Sequence, residues 1–187
     1  MTLDLAGCSD GELAALALAG RQSAYGELMR RHREPVYRLV RGHVGDADAA
    51  LDVTQQSFIA AFSALGRYDG ARPFRVWMAR IAINKCHDWT RRRAVRRLFS
   101  FALPIDAASD VADEAATPEE LLSDRQQLQR TMTAIAALPG SLKEPLILRT
   151  IEGLSQAETA LVLGISEKAV ETRVYRARAR LAESLRD

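Results

Sequence analysis

A set of cationic side chains near the end of the chain has the spacing that DNA reading requires. At a helical period of about 3.6 residues, the segment after Ser166 has one apolar face and one polar, basic face. The apolar stripe consists of Val170, Val174, Ala177 and Leu181, and the opposite face carries Lys168, Thr172, Tyr175 and Arg176, with Arg173 and Arg180 beside it. Such a helix can pack by one face and present cations to DNA by the other. An ordinary amphipathic helix with solvated charges is the alternative interpretation.

The residues that precede this helix favour the DNA-binding interpretation. Ser155 and Glu158 form an S-x-x-E capping box, which satisfies backbone amides at a helix start. Gly164 can adopt the left-handed conformation that turns the chain, and Ser166 can cap the next helix. A short helix, a turn at glycine and a second, basic helix together predict a helix-turn-helix.

Cations and aromatic rings alternate in a second segment, from Arg67 to Arg93. Arg and Lys can follow the phosphates of a separated DNA strand, while aromatic or loop residues hold bases taken out of the stack. The segment also fits a structural interpretation, in which Trp77 and Ile81 belong to a core and the arginine run is a solvated helix end. Taken alone, the segment supports both interpretations equally, and Trp77 is better explained as core.

Charge is distributed unevenly along the 187 residues, although the net charge is only +2. Residues 1–97 contain 16 basic and 10 acidic residues, a net of +6, and residues 125–187 contain 10 and 7, a net of +3. Between them, residues 98–124 contain no Lys or Arg and 7 acidic residues, a net of −7. Two basic blocks separated by an acidic one are expected if the blocks contact nucleic acid and the segment between them does not.

The composition and the helical periodicity predict an all-α fold, since no regular alternating strand pattern occurs. We expect two small helical domains, over residues 1–97 and 121–187, joined by a flexible acidic linker over 98–120. The first domain should contain four helices, which begin at Ser9, carry Tyr25 to Val40, run from about Ala47 to Leu65, and run from about Phe74 to Arg97. In the third helix we expect an apolar side with Leu51, Phe58, Phe62 and Leu65, and a polar side with Asp48, Asp52, Gln56 and Ala60.

Enzymatic function finds no support in the reactive side chains. Cys86 and His87 are adjacent and cannot point the same way on a helix, while His32 and His43 stand alone. No glycine-rich phosphate loop and no paired carboxylates near a base occur in the sequence. We therefore expect no catalytic residue, no metal site and no cofactor.

The cysteines and the apolar runs indicate the cellular compartment of the protein. Cys8 and Cys86 are far apart in sequence, so reduced thiols are expected rather than a disulfide framework. The run from Leu13 to Ala19 is too short to cross a bilayer and lacks the features of a secretory signal. The sequence predicts a cytoplasmic protein with no membrane contact.

In combination, the motifs resemble the extracytoplasmic-function sigma factors of bacteria, which belong to the sigma-70 superfamily. The matching motifs are Phe74-Arg-x-Trp77, Ile81-Ala-x-Asn84, Asp88-x-x-Arg-Arg-Arg93, the upstream Asp52-Val-Thr-Gln55-Gln56-Ser-Phe58, and the downstream Leu138-Pro with the helix-turn-helix. The resemblance covers about Ser9 to Arg97 and Thr131 to Leu185. It implies a non-catalytic initiation factor that joins core RNA polymerase, directs it to promoter DNA and helps to melt that DNA.

The resemblance also implies roles for three sets of residues. Core polymerase, through the clamp helices of its largest catalytic subunit and its flap, is the expected protein partner, and the residues implied for the clamp are Asp52, Gln55 and Gln56. The loop from Gly66 to Arg72 would hold the flipped base of the minus-ten element, and the residues implied for that element are Arg67, Tyr68, Asp69, Arg72, Arg75, Arg80, Asn84 and Lys85. The minus-thirty-five element would be read by Ser166, Lys168, Ala169, Thr172, Arg173 and Arg176.

The chain departs from the family pattern at the polymerase-docking motif. The family usually has Glu where this chain has Gln56, and often an acidic residue where it has Leu51, so docking is expected to depend less on charge. An anti-sigma factor is a further expected partner. A stand-alone helix-turn-helix regulator is the alternative function; it would usually dimerise on a palindrome and would not need the segment around Trp77.

Overall fold

The computed structural model describes residues 4–100 and 119–186. Every regular element in these two ranges is a helix, which confirms the predicted all-α class. The α-helices there are α1 Asp10–Leu18, α2 Gln22–Val44, α3 Ala47–Ser63, α4 Phe74–Ser100, α5 Glu119–Ala137, α6 Gly140–Thr150, α7 Gln156–Leu163 and α8 Glu167–Ser184. Short 3-10 turns occur at Leu5–Gly7 and Leu65–Arg67.

The predicted linker, over 98–120, lies mostly outside the described residues. Its described ends are helical, because α4 continues to Ser100 and α5 begins at Glu119. The domain limits at 97 and 121 stay a prediction.

Helices α1 to α4 form a bundle because each carries apolar residues at helical spacing. The buried residues include Leu13 on α1, Leu28 and Leu39 on α2, Val53 on α3 and Met78 on α4. Full burial of an apolar side chain of this size contributes about 1.5–3 kcal/mol relative to its exposure. The bundle therefore holds the loop between α3 and α4, and the outer faces of both helices, in fixed positions.

Arg31 on α2 fastens the start of the chain to this bundle. Its Nη1 donates to the Cys8 carbonyl at 2.8 Å and to Asp10 Oδ1 at 3.1 Å. Its Nη2 donates to the Leu5 carbonyl at 3.1 Å and to the Ala6 carbonyl at 2.8 Å. One guanidinium thus satisfies three carbonyls before α1 and joins this segment to α2.

Helix α2 runs without a break through Pro35, although proline inside a helix costs about 3 kcal/mol or more. Val36, Leu39 and Val40 follow the proline and are buried, so their packing offsets this cost. The helix ends at Gly45, which adopts a φ of +81° in the left-handed region that favours glycine.

Helices α5 to α8 contribute a second set of buried residues. Ile147 and Leu148 on α6, Leu154 in the following turn, and Val170 and Ala177 on α8 are all buried. Short α7 lies against both α6 and α8. This packing gives the predicted helix-turn-helix a rigid support.

The two sets of helices share one continuous hydrophobic core. Gly42 on α2 faces Ile147 on α6, and a Cβ built at Gly42 would lie 3.2 Å from Ile147 Cδ1. Gly45 lies against α5, where a built Cβ would lie 2.7 Å from the Cβ of Ala136. The glycines allow a close approach that larger residues would prevent. The relative placement of the halves, which the sequence leaves open, is thus a closed one.

Substitution of Asp46 by Ala should destabilise α3, because Asp46 Oδ1 accepts a capping hydrogen bond from the Ala49 amide at 2.7 Å. We expect the free energy of unfolding, measured by urea denaturation, to fall by about 1 kcal/mol. Asp48→Ala is the matched control, since Asp48 carries the same charge in the first turn of α3 without being its N-cap. Equal losses in the two variants would contradict the capping role of Asp46.

Candidate nucleic-acid interface

The turn between α7 and α8 has the geometry that the sequence predicts. The Ser155 hydroxyl accepts from the Glu158 amide at 3.1 Å, and the Glu158 carboxylate accepts from the Ser155 amide at 2.7 Å, so the capping box is confirmed. Gly164 ends α7 with a φ of +65°. The Ser166 hydroxyl then accepts from the Ala169 amide at 3.2 Å and caps α8. A side-chain cap thus satisfies an amide near the start of each helix, and the left-handed Gly164 makes the turn between them.

The outer face of α8 is basic and accessible. Val170 and Ala177 are buried, as the apolar stripe predicts, and this leaves Lys168 and Arg176 exposed on the other side. Tyr175 lies on this face with 76% of its surface exposed. The helical period places Tyr175 on the polar face, although it is not among the six residues expected to read the minus-thirty-five element. A large aromatic ring with a hydroxyl, exposed between cations, suits contact with bases and phosphates.

The other residues of α8 that are predicted to read DNA are less available for contact with it. The Ser166 hydroxyl already serves as the helix cap, and Ala169 is half-buried. The Thr172 hydroxyl donates to the Lys168 carbonyl at 2.9 Å. Arg173 is half-buried and lines a cleft between the two halves of the protein. The six predicted readers therefore do not form one exposed surface in this arrangement.

The loop between α3 and α4 is held by a cluster of aromatic rings. Tyr68 contacts Phe74 edge-on, with ring centres 5.2 Å apart, and contacts Trp77 at the same distance. The Tyr68 hydroxyl donates to the Arg72 carbonyl across the loop. Burial in this cluster raises the pKa of Tyr68, so its hydroxyl stays a neutral donor. Trp77 is half-buried and packs against the core, as the structural interpretation of this residue predicts.

The polar side chains of the same loop are exposed. Arg67, Asp69 and Arg72 all reach solvent. Asp69 accepts from the Ala71 amide at 3.1 Å and from Arg72 Nε at 3.1 Å. The Asp69 carboxylate is thus used to shape the loop, while the basic groups lie at its surface.

The first turn of α1 supports this loop. A Cβ built at Gly11 would lie 2.9 Å from the Gly70 carbonyl oxygen, so the two backbones meet without a side chain between them. Nearby, His32 Nε2 lies 2.8 Å from Asp10 Oδ2, and the His32 ring lies 4.8 Å from the Phe74 ring. The loop position therefore depends on α1 and α2 as well as on its flanking helices.

Along α4, the predicted strand-binding side chains do not share one face. Arg75, Arg80 and Asn84 are exposed and Lys85 is half-buried. At about 3.6 residues per turn, Arg75 and Asn84 lie roughly half a turn apart around the helix. A DNA strand could contact all four only by crossing the helix rather than following it.

The outer face of α3 carries the predicted polymerase-docking residues. Asp52, Gln55 and Gln56 are all exposed. Leu51 is 49% exposed on this face, so its predicted place on the apolar side is wrong. Phe58 is buried as predicted, together with Ala50, Val53, Thr54, Ser57 and Ala61. Ile59, which the sequence reasoning missed, is 60% exposed one turn after Gln55. We call Leu51, Asp52, Gln55, Gln56 and Ile59 the α3 face.

A cleft of about 590 Å³ separates the α3 face from the end of α4. Asp52 and Gln56 line one wall, and the other wall carries Trp89, Arg92, Arg93, Arg96 and Arg97. The Arg93 guanidinium lies 5.1 Å from the centre of the Trp89 ring, which keeps this arginine close to the helix. The arginine run at the end of α4 is exposed, as expected of a solvated helix end that could also contact phosphates.

Predicted DNA-binding residues of the two halves lie at the interface between those halves. Arg75 on α4 forms an ion pair with Glu158 on α7, with Nη2 and Oε1 2.6 Å apart. Asn84 on α4 and Arg173 on α8 line a single cleft. The sequence motifs alone carry no sign of these contacts, because they join residues about 80 positions apart.

Three buried titratable groups are shifted by loss of hydration. Burial lowers the pKa of His43 to about 3, and the nearby Lys143 and His87 lower it further. Burial raises the pKa of Cys86 to about 12, which makes it an unreactive core thiol. Burial also raises the pKa of Glu152 to about 7, against the opposing effect of Arg38.

Residues 4–100 and 119–186 contain no group of three or more His, Cys, Asp or Glu side chains placed to hold a metal ion. Among the same residues, none of the helices combines the length and the apolar character needed to cross a bilayer.

Two family models match the chain, and they match the parts that carry the candidate surfaces. Sigma-70 region 2 matches residues 28–96, which include the α3 face, the loop and α4 up to Arg96, and sigma-70 region 4 matches residues 128–181, which include the helix-turn-helix. The RNA polymerase sigma factor CnrH of Cupriavidus metallidurans is 39% identical over 181 residues, which cover 95% of this chain and 94% of CnrH. The ECF RNA polymerase sigma factor SigM of Mycobacterium tuberculosis is 34% identical over 179 residues, which cover 95% of this chain and 85% of SigM.

The chain belongs to the extracytoplasmic-function sigma factors of the sigma-70 family. A solved structure of CnrH in complex with the cytosolic domain of CnrY superposes with a TM-score of 0.69 at 34% identity, covering 94% of this chain and 96% of that one. The resemblance in the motifs is confirmed, and the protein is a promoter-specific sigma factor. The match to region 2 decides against a stand-alone regulator, which would need only the helix-turn-helix.

Substitution of Gly11 by Ala should displace the loop of this sigma factor. Alanine in a helix is normally more favourable than glycine by up to about 1 kcal/mol, but here its Cβ would meet the Gly70 carbonyl at 2.9 Å. We expect weaker promoter opening, measured by permanganate reactivity of thymines in the melted strand, with unchanged affinity for core polymerase.

Gly26→Ala is the control for this prediction, because a Cβ built at Gly26, on α2, has nothing within 4 Å. Promoter opening by Gly11→Ala that equals that of Gly26→Ala would show that the contact with Gly70 does not position the loop.

Glu152 should make the protein less stable as the pH rises. Its side chain is 9% exposed, and its pKa is raised from 4.5 to about 7 in the folded state. The stabilisation is complete below pH 4.5 and is lost as the pH rises through 7, by at most about 1.4 kcal/mol per pH unit. Glu152→Gln should flatten this dependence in urea denaturation series between these pH values. Glu183→Gln, at an exposed carboxylate, is the control, and equal slopes in both variants would contradict the burial of an ionisable Glu152.

Proposed function

We propose that this sigma factor divides promoter recognition among three surfaces. The α3 face binds core RNA polymerase, the loop 66–72 with α4 binds the minus-ten element, and the outer face of α8 reads the minus-thirty-five element. The observation that carries the proposal is the position of the two region matches. Region 2 contains the α3 face, the loop and α4, and region 4 contains the capped helix-turn-helix.

For the minus-thirty-five element, the exposure of α8 supports reading through Lys168, Arg176 and Tyr175. A helix of this kind enters the major groove and contacts base edges from its first turns. One well-placed bidentate contact discriminates between bases by about 1–3 kcal/mol. Arg173 lines the cleft between the two halves. It can contact DNA together with Lys168, Arg176 and Tyr175 only when that cleft is open.

For the minus-ten element, the aromatic cluster holds the loop 66–72 rigid. This rigidity supports the loop as the binding site of a flipped base. Tyr68 is already packed against Phe74 and Trp77, so the base is held by the loop backbone and the exposed side chains rather than by stacking on Tyr68. Arg67 and Arg72 supply cations for the adjoining phosphates. The role of Asp69 is to hold the loop in shape through its bonds within the loop.

For core polymerase, the α3 face supports docking by mixed polar and apolar contacts. Leu51 and Ile59 expose apolar surface at the two ends of a polar patch formed by Asp52, Gln55 and Gln56. Interfaces commonly combine an apolar contact with polar groups that fix orientation. The face carries a single formal charge, so binding should be less sensitive to salt than docking through several carboxylates.

We further propose that the protein acts without a catalytic residue of its own, in the bacterial cytoplasm, where core polymerase and promoter DNA are found. An anti-sigma factor is a proposed partner. The solved CnrH structure, in which CnrH is bound to the cytosolic domain of CnrY, supports a partner that is a cytosolic segment of another protein.

Transcription in vitro with bacterial core polymerase tests the proposed function most completely. A genomic DNA library is transcribed with and without the protein, and the transcript starts are mapped. We expect new starts that share two spaced upstream motifs. Absence of new starts together with absence of polymerase binding would contradict it.

Substitutions at the separate surfaces should affect separate steps. Arg176→Ala should reduce discrimination between correct and altered minus-thirty-five elements by about 1–3 kcal/mol, measured from run-off transcript yields on the two templates. Asp52→Ala should weaken binding to core polymerase by up to about fivefold, since one exposed charge contributes at most about 1 kcal/mol.

Arg178→Ala is the matched control for the DNA surface, because it removes the same charge from an exposed position on another side of α8. Equal effects of Arg176→Ala and Asp52→Ala in both the template assay and the polymerase assay would argue against a division of labour.

A further inference from the structure

An ion pair on the outer face of α8 joins two residues that lie one turn apart. Lys168 Nζ donates to Glu171 Oε2 at 2.8 Å, and the two side chains keep 81% and 57% of their surface exposed. Exposed pairs of this kind contribute little to stability, since water and salt compete with them. The pair is therefore better explained by what it offers to a binding partner than by what it adds to the fold.

Both residues lie where a recognition helix meets base edges. Helix α8 begins at Glu167, so Lys168 and Glu171 belong to its first two turns, which are the turns that contact bases in the major groove. Tyr175, four residues after Glu171 and on the same side of the helix, is also exposed. The pair thus belongs to the surface proposed for the minus-thirty-five element.

A carboxylate on this surface is unfavourable for DNA binding in general, because DNA phosphates repel it. Glu171 therefore lowers the affinity for every DNA sequence unless it gains a contact with particular bases. Its oxygens only accept hydrogen bonds, and the donors of the major groove are N4 of cytosine and N6 of adenine. Guanine and thymine present acceptors there instead. Glu171 thus favours a base with an amino group.

The spacing of the ion pair matches the edge of one base pair. In a G·C pair, guanine O6 accepts from cytosine N4, so these atoms lie about 2.9 Å apart, and both face the major groove. Lys168 and Glu171 place a donor and an acceptor 2.8 Å apart. An ammonium group has three donors and a carboxylate about four acceptor sites, so each group can keep the ion pair and bind a base as well.

An A·T pair also presents an amino group beside a carbonyl, but it fits the ion pair less well. Lysine can donate to both O6 and N7 of guanine, whereas thymine has a methyl group beside its one acceptor. Guanine is thus the better base for Lys168, and cytosine then lies against Glu171. The order of the two side chains along α8 decides which DNA strand carries the guanine.

We propose that Lys168 and Glu171 together read one G·C base pair of the minus-thirty-five element in a fixed orientation. Glu171 is the specificity-determining residue of the pair, because it holds the ammonium group over one strand and accepts from the cytosine of the other. This inference rests on the proposed function of α8, and it adds the base pair that these two residues select.

A promoter library with a randomised minus-thirty-five element tests the inference. The library is transcribed by core polymerase with this protein, and the templates that yield transcripts are sequenced. We expect one position at which G·C is preferred over C·G by about fivefold to a hundredfold. Glu171→Gln should abolish that preference, because the freed lysine can reach a guanine on either strand. Base preferences at the other positions should not change.

Exchange of the two residues gives the sharpest prediction. The double variant Lys168→Glu with Glu171→Lys keeps an ion pair at the same positions but reverses the donor and the acceptor. C·G should then be preferred over G·C at that position. Glu167→Gln is the matched control, because it removes the same charge as Glu171→Gln from another exposed residue in the first turn of α8. It should leave every base preference as in the wild type.

Two results would overturn the inference while the proposed function stands. One is a base preference that is unchanged in Glu171→Gln or is not reversed in the double variant. The other is a loss of transcription that is equal on all templates in either variant, which would mean that the pair only supports the helix. Failure of the proposed function looks different, because then the wild type itself yields no core-dependent transcripts from any template.

Discussion

The arrangement of the whole molecule depends on the close approach of α2 and α6 at Gly42. At this point the side-chain space of position 42 is taken by Ile147, a residue more than a hundred positions away. Once these helices meet, the hydrophobic cores of the two halves become one, and α4 is brought against α7. The ion pair between Arg75 and Glu158, and the cleft that Asn84 and Arg173 line, depend on this approach.

Helix α4 has two roles with opposite requirements, since core packing needs apolar side chains and DNA binding needs cations. It supplies Phe74 and Met78 to the core and must also offer cations to a separated DNA strand. In the closed form Arg75 is paired with Glu158, so the charge of Arg75 costs little free energy while DNA is absent. Ion pairs at partly exposed positions contribute little net stability, since hydration competes with them. Such an interface can be strong enough to close the free protein and weak enough to yield to DNA and polymerase.

Local structure was largely predictable from the sequence, whereas the relation between the halves was not. The capping box at Ser155 and the left-handed Gly164 depend on residues within a few positions, and both were predicted correctly. The sequence misplaces Leu51 because an apolar side chain need not be buried, and the buried side of α3 is set by its contacts with α2 and α4. The pair between Arg75 and Glu158 depends on packing between distant segments, which periodicity and motif spacing do not encode. The roles of the individual candidate residues stay predictions.

The distance across the cleft between the halves tests the central claim most directly. Thr90 on α4 and Ser141 on α6 line the same cleft and are exposed, so spin labels can be attached there in a Cys8→Ser background that retains buried Cys86. Pulsed electron resonance should give one short distance in the free protein and a distance longer by tens of ångströms in the complex with core polymerase and promoter DNA. The same distance in both states would contradict a closed free form that opens on the promoter.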